Sequence, residues 1–113
     1  MGYSTDTMQV KPPAEDLGDF SNNTSSSETY DDLFLKALAQ VVREHRELIG
    51  MSQEDLASEA KLHRTYVSDI ERGVRNFSVK TLNRIARSFE VSAGHILNLA
   101  EERTQQLISQ SPI

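Results

Sequence analysis

The sequence predicts an all-α protein of five helices, and three observations carry that expectation. From Leu33 to Ile108 apolar residues recur every three or four positions, the spacing that aligns them along one side of a helix. Ser52, Ser78 and Ser92 stand just before periodic segments, where a hydroxyl can accept from a backbone N–H that the first helical turn leaves unpaired. No stretch shows the strict apolar–polar alternation of a half-buried strand. In the first helix Phe34, Leu38, Val41, Val42, His45, Leu48 and Ile49 form the stripe, and Gly50 stops it. A short second helix, 53–59, follows the Ser52 cap, with Glu54 and Asp55 suited to the positive end of its dipole. Ala60, Lys61 and Leu62 make a tight connection to a third helix over about 63–72, which turns Val67 and Ile70 inward and ends at Gly73. Ser78 caps a fourth, about 79–89, built on Val79, Leu82, Ile85, Ala86 and Phe89. Ser92 caps the fifth, whose Ile96, Leu97, Leu99, Ala100, Leu107 and Ile108 exceed what a small core can cover.

A chain of 113 residues supports one core. Residues 1–32 read as a disordered acidic tail, because KPPAED and SNNTSSSE offer little to bury and seven acids (Asp6, Glu15, Asp16, Asp19, Glu28, Asp31, Asp32) face Lys11 alone. The whole-chain charge of −5 therefore belongs to the tail, and residues 33–113 form the folded domain. The tail is either an acidic competitor for a basic face or a tolerated leader. Between 61 and 87, Lys61, Arg64, Arg72, Arg75, Lys80, Arg84 and Arg87 are set against only Asp69 and Glu71. Such clustering attracts a polyanion despite a negative total, although a solvated helix face would look the same.

The chain has no cysteine, so a disulfide framework, a thiolate metal site and a cysteine nucleophile are all excluded, and a reducing compartment fits. It has neither the basic start and apolar run of a signal peptide nor an apolar run of about 18 residues, which points to a soluble cytoplasmic protein without membrane contact. His45, His63 and His95 form no catalytic constellation with the carboxylates, and HExxH, CxxC and phosphate-cradling glycine motifs are missing, so no enzyme, metal or cofactor is expected.

The stretch SQEDLASEAKLHRTYVSDIERG joins a seam of Leu56, Ala57, Ala60, Leu62, Val67 and Ile70 to outward polar residues. Such a seam lets two short helices pack closely, the first bracing on a DNA backbone and the second entering the major groove. From there to Val91-Ser92, with Ile70-Glu71-Arg72-Gly73 and Ser78 to Ala86, the sequence resembles the Cro/cI-type, or XRE, helix-turn-helix family over about Leu38 to Leu97. Residues Leu62 to Asn76, with Arg64-Thr65-Tyr66 and Arg75-Asn76, look most like the controller proteins of restriction-modification systems. The resemblance implies a five-helix lambda-repressor-like domain that binds operator DNA as a homodimer and contacts or blocks RNA polymerase, regulating transcription. It also implies a scaffold salt bridge between Glu71 and Arg46.

Roles on the DNA side follow from side-chain chemistry. Gln53, at a helix start, suits a phosphate or serves as a plain surface helix former. Arg64 can bond guanine O6 and N7 in parallel or take a phosphate, and Thr65 can meet a base edge or cap its helix. Tyr66 either reaches a phosphate, as the controller resemblance implies, or packs inward. Ser68 completes the face; Asp69 either accepts from cytosine N4 or pairs with Arg72 or Lys61. Arg72, Arg75 and Asn76 reach phosphates and set register. Ile96, Leu97, Ala100 and Leu107 are the expected dimer interface. A fold kept for a protein partner, as in an antitoxin or scaffold, is the alternative, disfavoured by the retained cationic edge.

Overall fold

The computed structural model describes residues 29–110, which form five helices: α1 (Tyr30–Leu48), α2 (Gln53–Ala60), α3 (Arg64–Glu71), α4 (Val79–Ser88) and α5 (Ala93–Gln110). Among the described residues there is no strand, and no helix is long and apolar enough to cross a membrane. The expected disordered tail lies outside the described residues as far as position 28. Its last part is folded: Thr29 Oγ1 accepts from the Asp32 N–H (3.1 Å) while the Asp32 carboxylate accepts from the Thr29 N–H (3.2 Å). This reciprocal cap moves the start of the ordered helix from the expected Leu33 to Tyr30.

Local chemistry sets the other starts. Ser52 accepts from the Asp55 N–H at 2.9 Å and Asp55 accepts in return at 3.1 Å, which satisfies two otherwise orphaned donors and starts α2. Ser78 Oγ accepts from the Thr81 N–H to start α4, and Ser92 Oγ accepts from the His95 N–H in the first turn of α5. The α2–α3 connection is sharper than its sequence suggests, because Lys61 occupies the left-handed region (φ 59°) and lets the Leu62 N–H reach Ala57 O at 2.8 Å. Gly73 (φ 74°) ends α3 where any side chain would be strained.

Val42, Leu56, Val67, Ile70, Ile85 and Ile96 are fully enclosed and draw all five helices onto one core. Each such side chain contributes roughly 1.5–3 kcal/mol by leaving water. α5 lies mainly along α1, with Ile96, Ala100 and Thr104 at four-residue spacing on the covered side; the Thr104 hydroxyl donates to Ala100 O (2.7 Å) and needs no other partner. Arg103 clasps the same seam, bonding both oxygens of Glu44 (2.7 and 2.9 Å) and the Gln40 side-chain oxygen (2.8 Å).

Three expectations change. Ile96 and Ala100 are each 0 % exposed within their own chain, so they are core residues and cannot line a dimer interface without opening the core; Leu97 and Leu107 remain half-buried. Leu48 and Ile49 were expected on the buried stripe, but α1 ends at Leu48, beyond the reach of its neighbours, and both are exposed. Val79, expected in the apolar set of α4, is 78 % exposed at that helix's first position. His45, expected on the apolar stripe, is half-buried with its ring stacked on Phe89 at 4.8 Å.

Candidate nucleic-acid interface

A chain of charge-assisted hydrogen bonds crosses the helix pair and organises the polar face. Arg46, near the end of α1, donates through Nε to Glu71 Oε2 (2.6 Å), through NH2 to Glu71 Oε1 (3.0 Å) and through NH1 to the Met51 carbonyl (2.7 Å). Both side chains are nearly enclosed, and a two-toothed pairing of this kind is among the stronger polar contacts a protein makes. The Glu71 hydrogen bonds hold the Arg46 guanidinium above its ordinary pKa, against the opposing effect of burial.

Glu71 Oε1 also accepts from Gln53 Nε2 at 3.0 Å, and Gln53 Oε1 accepts from Arg64 NH1 at 3.1 Å. Gln53 thus uses one end of its amide on an anion and the other on a cation, leaving its second amide hydrogen for another acceptor. Arg64 lies at the first position of α3, half-exposed, with Nε 3.6 Å from Glu54 Oε2. Two weak exposed attachments hold it, so it is oriented but free to extend. The importance of Glu54 was not evident in the sequence, because its partner lies across a turn.

Beside Arg64, Thr65 is exposed, Ser68 half-buried, and Arg75 and Asn76 exposed on the loop that follows α3. The Tyr66 ring packs against the core edge and carries the Arg75 guanidinium at 5.0 Å from its centroid, a cation–π arrangement. Asp69 pairs with Arg72 (2.7 Å) and Arg75 (3.4 Å), one oxygen each; of its two expected partners the structure supplies Arg72 and not Lys61. The Arg72 hydrogen bond holds the Asp69 carboxyl below the ordinary carboxylate value. Lys61, Leu62, Thr65, Tyr66, Asp69 and Arg75 line a shallow open depression beside α3. Thr65, Tyr66, Asp69, Arg72 and Arg75 are therefore joined by direct contacts or this common lining, while Gln53 and Arg64 bond to each other at the starts of α2 and α3.

Among the described residues no group of histidine and carboxylate side chains could hold a metal ion. A second groove, also largely apolar, runs between the start of α1, the α3–α4 loop and α5, where Phe34, Leu35, Phe77, Val79 and Leu97 meet.

The chain matches the helix-turn-helix family over residues 42–96. It is 50% identical over 49 residues to the control protein C.BamHI of Bacillus amyloliquefaciens, a match that spans 43% of this chain and 60% of that protein's length. It is 36% identical over 69 residues to the control protein C.SmaI of Serratia marcescens, covering 61% of this chain and 82% of that one. Among solved structures, the restriction-modification controller protein C.Esp1396I, a tetramer in complex with its natural 35 base-pair operator, superposes with a TM-score of 0.59 at 36% identity, over 64% of this chain and 95% of that one. On these identities and on the shared fold, the chain belongs to the XRE-type helix-turn-helix family that includes the restriction-modification controller proteins.

Proposed function

We propose that this protein is a transcriptional regulator that binds a partly two-fold operator as a homodimer, in the manner of a restriction-modification controller. The observation that carries this is the Arg46–Glu71–Gln53–Arg64 chain, which fixes α3 against α2 and orients a half-exposed arginine at the first position of the second helix of the pair. That is where a recognition helix meets base edges. Arg64 reads a guanine edge, Thr65 a neighbouring base, and Gln53, Tyr66, Ser68, Arg72, Arg75 and Asn76 set register on phosphates.

Dimerisation places two such helices about 34–36 Å apart, one turn of the duplex. The apolar groove with Leu97, Phe77 and the exposed Val79 supplies the mating face, in place of Ile96 and Ala100. The dimer works in the cytoplasm and acts on a promoter by contacting or blocking RNA polymerase. It needs no cofactor and performs no catalysis, so its concentration and dimerisation control its occupancy.

The test is selection of bound sequences from random duplexes at about 150 mM salt, run in parallel for the full chain and Arg64→Ala. A two-fold motif for wild type, with one base position relaxed in the variant, is the expected result. Enrichment of nothing by wild type overturns the regulator in favour of a protein-binding module.

A further inference from the structure

Asp69 is the residue that fits worst on a surface meant for phosphates, and its surroundings suggest why it is there. Its two carboxylate oxygens are divided between Arg72 NH2 at 2.7 Å and Arg75 Nε at 3.4 Å. Arg72 lies one turn ahead, just past the end of α3, and Arg75 lies on the loop beyond, so a single carboxylate ties the helix to the segment that follows it. The Asp69 side chain is only 20% exposed while those of Arg72 and Arg75 are 64% and 54% exposed. The anion thus stands behind its two cations, and the triad presents a fork whose outward charge is partly cancelled from within. Tyr66 holds Arg75 from the other side, its ring 5.0 Å away.

We propose that Asp69 is a specificity-setting positioning residue: it fixes Arg72 and Arg75 in one arrangement and withholds part of their charge from DNA of arbitrary sequence. The inference rests on α3 facing DNA. Exposed ion pairs add little to stability, so folding alone gives a weak reason for an acid at this position. The effect on DNA binding is larger, because each phosphate neutralised changes the slope of log affinity against log salt by about 0.9. On a non-matching duplex the arginines gain little by leaving Asp69. On the operator, where Arg64 has fixed the register, phosphates arrive where the fork already points, and the carboxylate is displaced or shared at smaller cost. Discrimination is a difference between two affinities, and a carboxylate that lowers the weaker one more raises the ratio.

The experiment compares full-length wild type, Asp69→Asn and Asp69→Glu on the selected operator and on a mixed-sequence duplex, from about 0.1 to 1 M salt, over which the Debye length falls from about 10 to about 3 Å, with urea unfolding of each in parallel. For Asp69→Asn the expected result is a salt slope on mixed-sequence DNA steeper by about 0.9, equivalent to about five-fold tighter binding at 0.15 M relative to 1 M. Operator affinity gains less, so the specificity ratio falls, and Asp69→Glu, which keeps the charge, recovers most of it. An unchanged non-specific slope, or a fall in both affinities that tracks lost stability, overturns the proposal. If wild type prefers no sequence at all, it is the regulator reading that fails, and the mixed-sequence slopes still decide whether Asp69 withholds charge.

Discussion

Replacing Glu71 by alanine is expected to do more damage than any surface change, and its size can be worked from the contacts. The substitution removes two hydrogen bonds from Arg46, at 2.6 and 3.0 Å, and leaves a guanidinium that is only about 10% exposed with the Met51 carbonyl as its remaining hydrogen-bond partner and the half-exposed Glu47, at 3.8 Å, as its remaining ion pair. Breaking a buried pair from one side costs about 3–5 kcal/mol, because the surviving charge is stranded away from water. Against the ~5–15 kcal/mol that holds a whole domain together, this is a large share. For a domain of this size it lowers Tm by at least about 12 °C, at roughly 4–8 °C per kcal/mol. The informative comparison is the double variant Arg46→Met/Glu71→Leu, in which apolar side chains of similar volume replace both charges. Stability there should return to within about 1 kcal/mol of wild type or exceed it. Operator binding should not return, because Gln53 has lost the carboxylate that fixes its amide. Thermal and urea unfolding followed by circular dichroism give the stabilities, and titration with operator duplex gives the binding. A cost below about 1 kcal/mol for Glu71→Ala would show that the pair is not the strut described, and full operator affinity in the double variant would show that Gln53 needs no anchor.

Leu97→Asp, which puts a charge in the apolar groove at a half-buried position, should yield a helical monomer in sedimentation with much weakened operator binding; a persistent dimer would place the interface elsewhere. Glu44, Asp55 and Asp69 are held below their ordinary values, 4.5 for Glu44 and 3.8 for the aspartates, chiefly by hydrogen bonds from Arg103, the Ser52 backbone and Arg72 respectively. A depressed folded value stabilises above the unfolded one and loses that contribution as pH falls through the folded one, so the urea midpoint should be level from about pH 8 to 5 and decline below it; a midpoint unchanged down to about pH 3 would contradict these assignments.

What could be read from the sequence was what is decided locally. The apolar period located all five helices, and Ser52, Ser78 and Ser92 marked the starts of α2, α4 and α5, because caps and stripes depend on neighbours three or four residues away. Thr29 and Asp32 escaped notice since their acid was counted with the tail, although the threonine–acid spacing is itself a capping signal. The left-handed turns at Lys61 and Glu90 carry no glycine to announce them. Nor does periodicity say which side of α5 its own chain covers: Ile96 and Leu97 are adjacent apolar residues, and only packing against α1 buries one and leaves the other half-open. The Arg46–Glu71 pair came from family resemblance. Arg64 with Glu54 and Arg103 with Glu44 were hidden, since they join exposed charges across a turn and across most of the domain.

Gln53 has a consequence for how such a protein can change over generations. Its amide is the adaptor between a carboxylate buried behind it and an arginine in front, and no other uncharged side chain of that reach offers an acceptor and a donor on one head. Glutamate there would confront Glu71, and lysine or arginine would confront Arg64. On the proposed reading, a change of target base therefore falls to Thr65, which lies outside the adaptor, while Arg46, Glu71, Gln53 and Arg64 are constrained as one hydrogen-bonded set. On that reading, a lineage would acquire a new operator by editing the base-reading position, with the buried adaptor left intact.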